Sequence, residues 1–331
     1  MTLNRGMLFL AGALLTAGCG GMTAPVQAPQ AASLPATRFD STGSWMEPSA
    51  KRQDLLYVSD SDGSVTVFSY PGLRQVGLLQ GFKSPAGLCA DPRTGDVLVV
   101  DTNSLAVFKY KHGGTKPVKT LGLFGFFPFG CAVDPTTGNV AVANYSAQPS
   151  GAGSLSIFRA GAFFPTDYTD PNFNAYFFCS YDDRGNLFVD GADSNSYHTE
   201  FAELPNGKTS FKTIRLDKLI GFPGAVQWDG TYMALQDTIS RILYRFKITG
   251  SNGKSAGAVR FKVDRSTLIH QFWIQGDAIA MPYGKVSRLV RVVGHWPYPA
   301  GGSPNKSKAL ANATELVGVT VSLVHPATSK R

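Results

Sequence analysis

Residues 87–95 read GLCADPRTG and run into DVLVVD at 96–101; 43 residues further on, 130–138 read GCAVDPTTG and run into NVAVAN at 139–144. In both copies a short apolar stretch passes through an Asp-Pro turn closed by glycine into an alternating stretch. Asp, Pro and Gly each make turns for their own reason: a side-chain acceptor, a preset φ and tolerance of positive φ. Weaker copies are FCSYDDRG at 178–185 with NLFVD after it, AVQWDG at 225–230 with TYMAL, and FWIQG at 272–276 with DAIAM. The turn glycines therefore fall at 95, 138, 185, 230 and 276. Further alternating runs follow at 105–110, 155–158, 242–246 and 289–293, and each is succeeded by another short strand after a Gly, Pro or Lys turn.

Four short strands per period of 43 to 47 residues is the pattern of a propeller blade. The first unit begins on its second strand, Asp54 to Asp60, and the missing inner strand is supplied by ELVGVTVSLVHP at 315–326, which aligns with the other inner strands. The expectation is an all-β, six-bladed β-propeller over 54–325, its ring closed by the C-terminal strand pairing with the N-terminal blade. Closure removes the exposed edges that an open sheet would leave. Composition agrees. Of 331 residues 43% are apolar, enough for a core, and 16% are charged, against about 25% in an average soluble domain. Four glutamates stand beside nineteen aspartates, which favours turns over helices.

The amino terminus reads as an address. Arg5 precedes an apolar run from Met7 to Leu15 and the small residues Thr16, Ala17 and Gly18. The run is too short for a hydrocarbon core that needs about 20 residues, so 1–18 is expected to be a removable signal peptide. Leu15 to Cys19 resembles the lipobox of bacterial lipoproteins, with Thr16 where that family usually has Leu. The resemblance implies a lipid on Cys19, secretion across the inner membrane and anchorage in the cell envelope. The alternative is an ordinary signal peptide cut near Ala17 or Ala24. Residues 19–53, rich in Ala, Pro, Gln, Ser and Thr, read as a flexible tether, and 326–331 as a tail. The net charge of +8, or +7 once Arg5 is lost, is dispersed without a basic run, so nucleic acid is not expected as a partner. A monomer is expected.

Strand order assigns loops to faces. The connections from outer strand to the next inner strand and from second to third strand share one face, here called the top. On it the sequence places Asp60, Asp62, Asp101, Asn103, Asn144, Tyr145, Asp190, Asp193, Asn195, His198 and Asp237, whereas Lys109, Lys111, His112, Lys116, Lys254, Lys306 and Lys308 fall on the bottom. An acidic ring could hold Ca²⁺ or a cationic or hydroxyl-rich ligand; Asp and Asn also form strand-end turns with no ligand at all. Phe124, Phe126, Phe127 and Phe129, and Phe163, Phe164, Tyr168, Phe173, Tyr176 and Phe177, are expected in top connections, either as a binding surface or as filling between blades. The segments 145–153 and 191–198 are candidates for specificity.

Pro85-x-Gly87, Asp101-Thr102-Asn103 and the following Val107-Phe108 resemble the NHL and YncE-like propellers, across roughly 54–325. That resemblance implies recognition of a protein, nucleic acid or small ligand and, occasionally, catalysis; the polar and aromatic loops make the expected function recognition of a protein, glycan or small ligand on the top face. The enzymatic alternative is a metal-dependent lactonase or sugar-acid hydrolase at the channel mouth. Against it, the inner strands carry only Gln227, His270, Gln271 and Gln275 as notable polar side chains, with no nucleophile and base at recognisable spacing. No catalytic residue and no cofactor is therefore assigned. Cys89, Cys131 and Cys179 all lie on inner strands without metal or redox spacing; buried free thiols are expected, with a Cys131–Cys179 bridge as the other possibility.

Overall fold

The computed structural model describes residues 40–148, 150–193, 199–264, 267–285 and 289–325. Cys19, Asn195, His198, most of the tether and the tail lie outside them.

The described strands form six sheets, antiparallel but for one added edge strand, arranged as a six-bladed propeller. From the axis outwards, blade 2 comprises Pro85–Ala90, Val97–Asp101, Ala106–Tyr110 and Pro117–Gly122. Blade 3 comprises Phe126–Val133, Val140–Ala147, Ala152–Phe158 and Thr166–Tyr168. Blade 4 comprises Phe173–Tyr181, Leu187–Asp193, Thr199–Leu204 and Lys212–Thr213. Blade 5 comprises Pro223–Trp228, Met233–Asp237, Ile242–Thr249 and Asn252–Arg260, with Arg215–Leu216 added in parallel outside. Blade 6 has an interrupted inner strand, Thr267–Leu268 and Trp273–Gln275, then Ala278–Lys285, Leu289–Pro297 and Lys306–Ala309.

Blade 1 closes the ring as the sequence predicts. Its inner strand is Leu316–Ser322, paired with Leu55–Asp60 so that Leu55 faces Ser322 and Val58 faces Val319. Ser64–Ser69 and Gln75–Gln80 follow. Trp45–Met46 then pairs with Leu78 and Gly77 as a fifth, outermost strand, and Pro48–Arg52 forms a 3-10 turn. Residues 45–52, expected as the end of the tether, are thus part of blade 1.

Six hydrophobic clusters lie between successive blades. Period-2 alternation explains how one strand serves two of them. Leu55 and Tyr57 enter the cluster shared with blade 2, while Leu56 and Val58 enter the one shared with blade 6. A strand covered on both faces is apolar throughout, as LLYV at 55–58 is. The inner-strand glycines have a packing reason. A β-carbon on Gly318, Gly87 or Gly130 would stand 2.2, 2.6 or 2.5 Å from the carbonyl oxygen of Ala86, Phe129 or Phe177 in the next blade. Only glycine lets neighbouring blades approach this closely.

The cysteines depart from expectation. Cys89 and Cys131 form a disulfide between blades 2 and 3, and Cys179 is the buried free thiol. Aligned on the glycines and the turn aspartates, Cys131 matches Cys179 and Leu88, whereas Cys89 matches Ala132, one residue later. Side chains alternate between strand faces, so Cys89 looks forward to blade 3 and Cys131 back to blade 2. Cys179 looks back as Cys131 does and meets Ala132, Ala141 and Ala143. Two residues of the same parity on successive inner strands point the same way round the ring, which excludes the Cys131–Cys179 bridge.

Candidate functional site

Between the two pieces of the interrupted inner strand of blade 6, Gln271 is buried against the inner strands of blades 1 and 2. That side-chain amide accepts the N–H of Leu88 and of Val319, each at 3.0 Å, and donates to the Leu88 carbonyl at 2.8 Å. The inner edges of blades 1 and 2 would otherwise present unpaired backbone groups to the axis. Gln227 does the same between blades 5 and 6, donating to the Ile274 carbonyl at 2.9 Å and accepting its N–H at 2.6 Å. Phe178 and Phe272 pack in one cluster with Phe129 and Phe177 beside them. Among the described residues no three of His, Cys, Asp and Glu stand together as metal ligands. The hydrolase alternative thus lacks a ligand cluster in the described residues.

The top-face acids predicted as a ring are mostly interior. Asp60 accepts the N–H groups of Thr314 and Glu315 at 3.0 and 2.9 Å. Asp101 accepts those of Lys83 and Ser84, both at 2.8 Å, and the Ser104 hydroxyl at 2.8 Å. Asp190 accepts from the Phe178 N–H at 2.9 Å, and Asp237 from the Ile239 N–H at 3.0 Å. Asn144 donates to the hydroxyls of Ser154 and Ser156 at 2.9 and 2.7 Å. All five are buried on a second strand, and Asp60, Asp101 and Asp237 are its last residue. Asp60, Asp101 and Asp190 fasten the chain on or entering the inner strand of their own blade, the turn-forming alternative weighed for these residues. Burial, with no partner on Oδ2, holds the Asp190 carboxyl well above the ordinary carboxylate range. Asn103 is exposed.

The expected division into an acidic and a basic face does not hold. The carboxylates of the bottom turns stand among the lysines: Asp96 pairs with Lys109 and Lys111, each at 3.0 Å. Phe163 and Phe164 also change side. They lie in the connection between the third and outer strands of blade 3, on the bottom, where Phe163 faces the Lys119 ammonium at 5.3 Å. Phe173 and Tyr176 are buried and stacked at 4.7 Å, as filling.

Beside the exposed polar residues Asp62, Lys83 and Asn103, the top face offers solvent an apolar strip. Tyr145 meets Phe177 at 5.5 Å, and Phe177 meets Phe222 at 5.6 Å and Phe129 at 5.7 Å. The strip crosses blades 3, 4 and 5. Tyr145 is 47% exposed and Phe222 37%, with Ile239 at 62% and Leu219 at 79% in adjoining connections and Phe124 exposed on the blade 2 side. Phe126 and Phe127 are half-buried where the inner strand of blade 3 begins, paired with Ala147 and Ser146. The sequence reading misses Phe222, Leu219 and Ile239; the available signal was three large apolar residues in connections, where polar ones are usual. It also treats His270 as solitary. His270 Nε2 lies 3.0 Å from Glu315 Oε1 at the top mouth, and this contact holds the Glu315 carboxyl below the usual range.

No protein-family model and no curated protein sequence matches the chain. Its fold is similar to that of a chain in the crystal structure of a nidogen/laminin complex, with a TM-score of 0.66 and 13% identity over 82% of this chain and 100% of that one. At this identity the likeness concerns the fold, and the class is a six-bladed β-propeller.

Proposed function

We propose that this protein is a lipid-anchored binding propeller of the bacterial cell envelope, of the NHL and YncE-like kind, which recognises a protein partner through its top face. The observation that carries this reading is the exposed Tyr145–Phe177–Phe222 strip with Leu219 and Ile239 at its margin. Contiguous apolar surface of this sort is retained where a partner covers it, and aromatic residues are enriched at the centres of such interfaces. The similar propeller was crystallised as part of a complex, which supports a protein rather than a glycan. The lipid would sit on Cys19, with the segment before residue 44 as the tether.

The test places a photo-crosslinking residue at Phe222 or Tyr145 on the top and at Lys254 on the bottom, in cells producing the full chain. Adducts with one protein from the top positions alone support the reading; adducts from neither, or equally from both faces, overturn it. Cys19→Ser should move the protein from the membrane to the soluble fraction, and persistence in the membrane would remove the lipid anchor.

A further inference from the structure

The opposite mouth of the channel holds a cavity of about 190 Å³ that the top-face reading leaves without a role. It lies where the inner strands of blades 2 to 6 run into their bottom turns. Its floor carries the Cys89–Cys131 disulfide, Phe178 and Phe272, and its half-buried walls include Trp228 and Trp273.

The polar side chains in this lining are largely engaged already. Gln227 and Gln271 use both ends of their amides on backbone, as described above, and Ser180 Oγ accepts the Trp228 N–H at 2.9 Å and donates to the Tyr181 carbonyl at 3.3 Å. The Trp228 indole N–H donates to Asp183 Oδ2 at 2.9 Å. The Trp273 indole nitrogen is buried without a hydrogen-bond partner. What lines the cavity is therefore chiefly aromatic rings, sulfur and one exposed carboxylate, Asp183. In a chain with 31 Lys and Arg against 23 acids, no Lys or Arg lines it.

A site with π faces and a negative charge, and with few free hydrogen-bonding groups, suits a ligand that is positive and asks for no hydrogen bonds. We propose that this cavity binds a compact quaternary ammonium group, held against Trp228 and Trp273 with Asp183 as its counter-charge. An anion would meet Asp183 with no cation to offset it. A sugar would leave its hydroxyls unpaired, at a cost for each.

The probe is choline, compared with 3,3-dimethylbutan-1-ol, which replaces the ammonium nitrogen by carbon at the same shape. Titration of the purified full chain, followed by calorimetry and tryptophan fluorescence, should give saturable choline binding, with the neutral analogue weaker by on the order of 10-fold. Asp183→Asn should weaken choline several-fold and leave the neutral analogue and the melting temperature unchanged. No saturable choline binding up to concentrations on the order of 10 mM overturns the proposal. So does equal binding of the two probes, or choline binding unaffected by Asp183→Asn. Because Asp183 is exposed, this variant tests the charge without disturbing the core.

Discussion

The carboxylate of Asp60 accepts the backbone N–H of Glu315 at 2.9 Å, a contact between residues 255 apart in the chain, and it accepts Thr314 as well. Next to it the Ser59 hydroxyl accepts the Gly318 N–H at 2.7 Å and donates to the Ala86 carbonyl at 2.6 Å. Blade 1 is thereby fastened to its own closing strand and to blade 2 by two adjacent side chains. Asp60→Ala leaves two N–H groups without their acceptor and should cost about 2–4 kcal/mol in urea denaturation. Truncation after Lys308 removes Leu316–Ser322 altogether and should abolish the cooperative melt; an undiminished transition would show that the ring does not need this strand.

The Cys89–Cys131 bridge closes a span of 42 residues between two blades. Chain-entropy reasoning assigns a loop of that length about 4 kcal/mol. Cys89→Ala combined with Cys131→Ala should lower stability by roughly 2–4 kcal/mol. Cys179→Ala should leave the bridge intact, seen as an unchanged mobility difference between reduced and unreduced samples. Burial raises the Cys179 thiol far above its ordinary value, so thiol reagents should reach it only on unfolding.

Asp190 makes stability depend on pH in a defined direction. Its folded pKa is raised, so the native state retains a proton that the unfolded chain releases. The stabilisation is complete below the unfolded value of about 3.9 and is lost as pH rises towards the folded value. Asp190→Asn is neutral at every pH and removes this loss. Denaturation at pH 4 and pH 7 should show the variant gaining on the wild type as pH rises, and a constant difference would refute a raised pKa.

Calcium should not move the melting temperature. Asp60, Asp101 and Asp237 are engaged with backbone N–H groups. A metal present at 100 times its dissociation constant adds about 2.7 kcal/mol, a shift readily measured between EDTA and millimolar Ca²⁺. A clear rise would mean that the top loops rearrange into a site.

The aromatic residues divide into surface and filling by stability as well as by position. Phe222→Ala and Tyr145→Ala should cost less than about 1 kcal/mol, whereas Phe178→Ala, in the channel cluster, should cost about 3–5 kcal/mol. Thermal melts of the three variants distinguish the groups, and a large loss at Phe222 would return the top strip to the core.

The architecture was legible because its signals are local. Turn chemistry at Gly95 and Gly138, and period-2 alternation on either side, mark each blade without reference to any other. Even closure could be read, since residues 315–326 repeat the inner-strand pattern and the first unit lacks one. The site was legible only in part. Tyr145 and Phe177 could be placed on the top face, but whether Asp101 met solvent or the N–H groups of Lys83 and Ser84 depended on how the turn folded over it. Phe163 could not be assigned a face until the short outer strand Thr166–Tyr168 was located after it.

By itself, the amino-acid sequence determined the number of blades, the strand order and the closing partner, because each follows from patterns within a few residues of the backbone. Only the tertiary structure decided that Gln271 bonds Leu88, 183 residues away, and that most of the top-face acids are internal fastenings. It also decided which apolar side chains are left outside. These outcomes depend on which groups meet across blade interfaces, and a carboxylate, an amide or a phenyl ring carries no mark in the sequence of the partner that will satisfy or cover it.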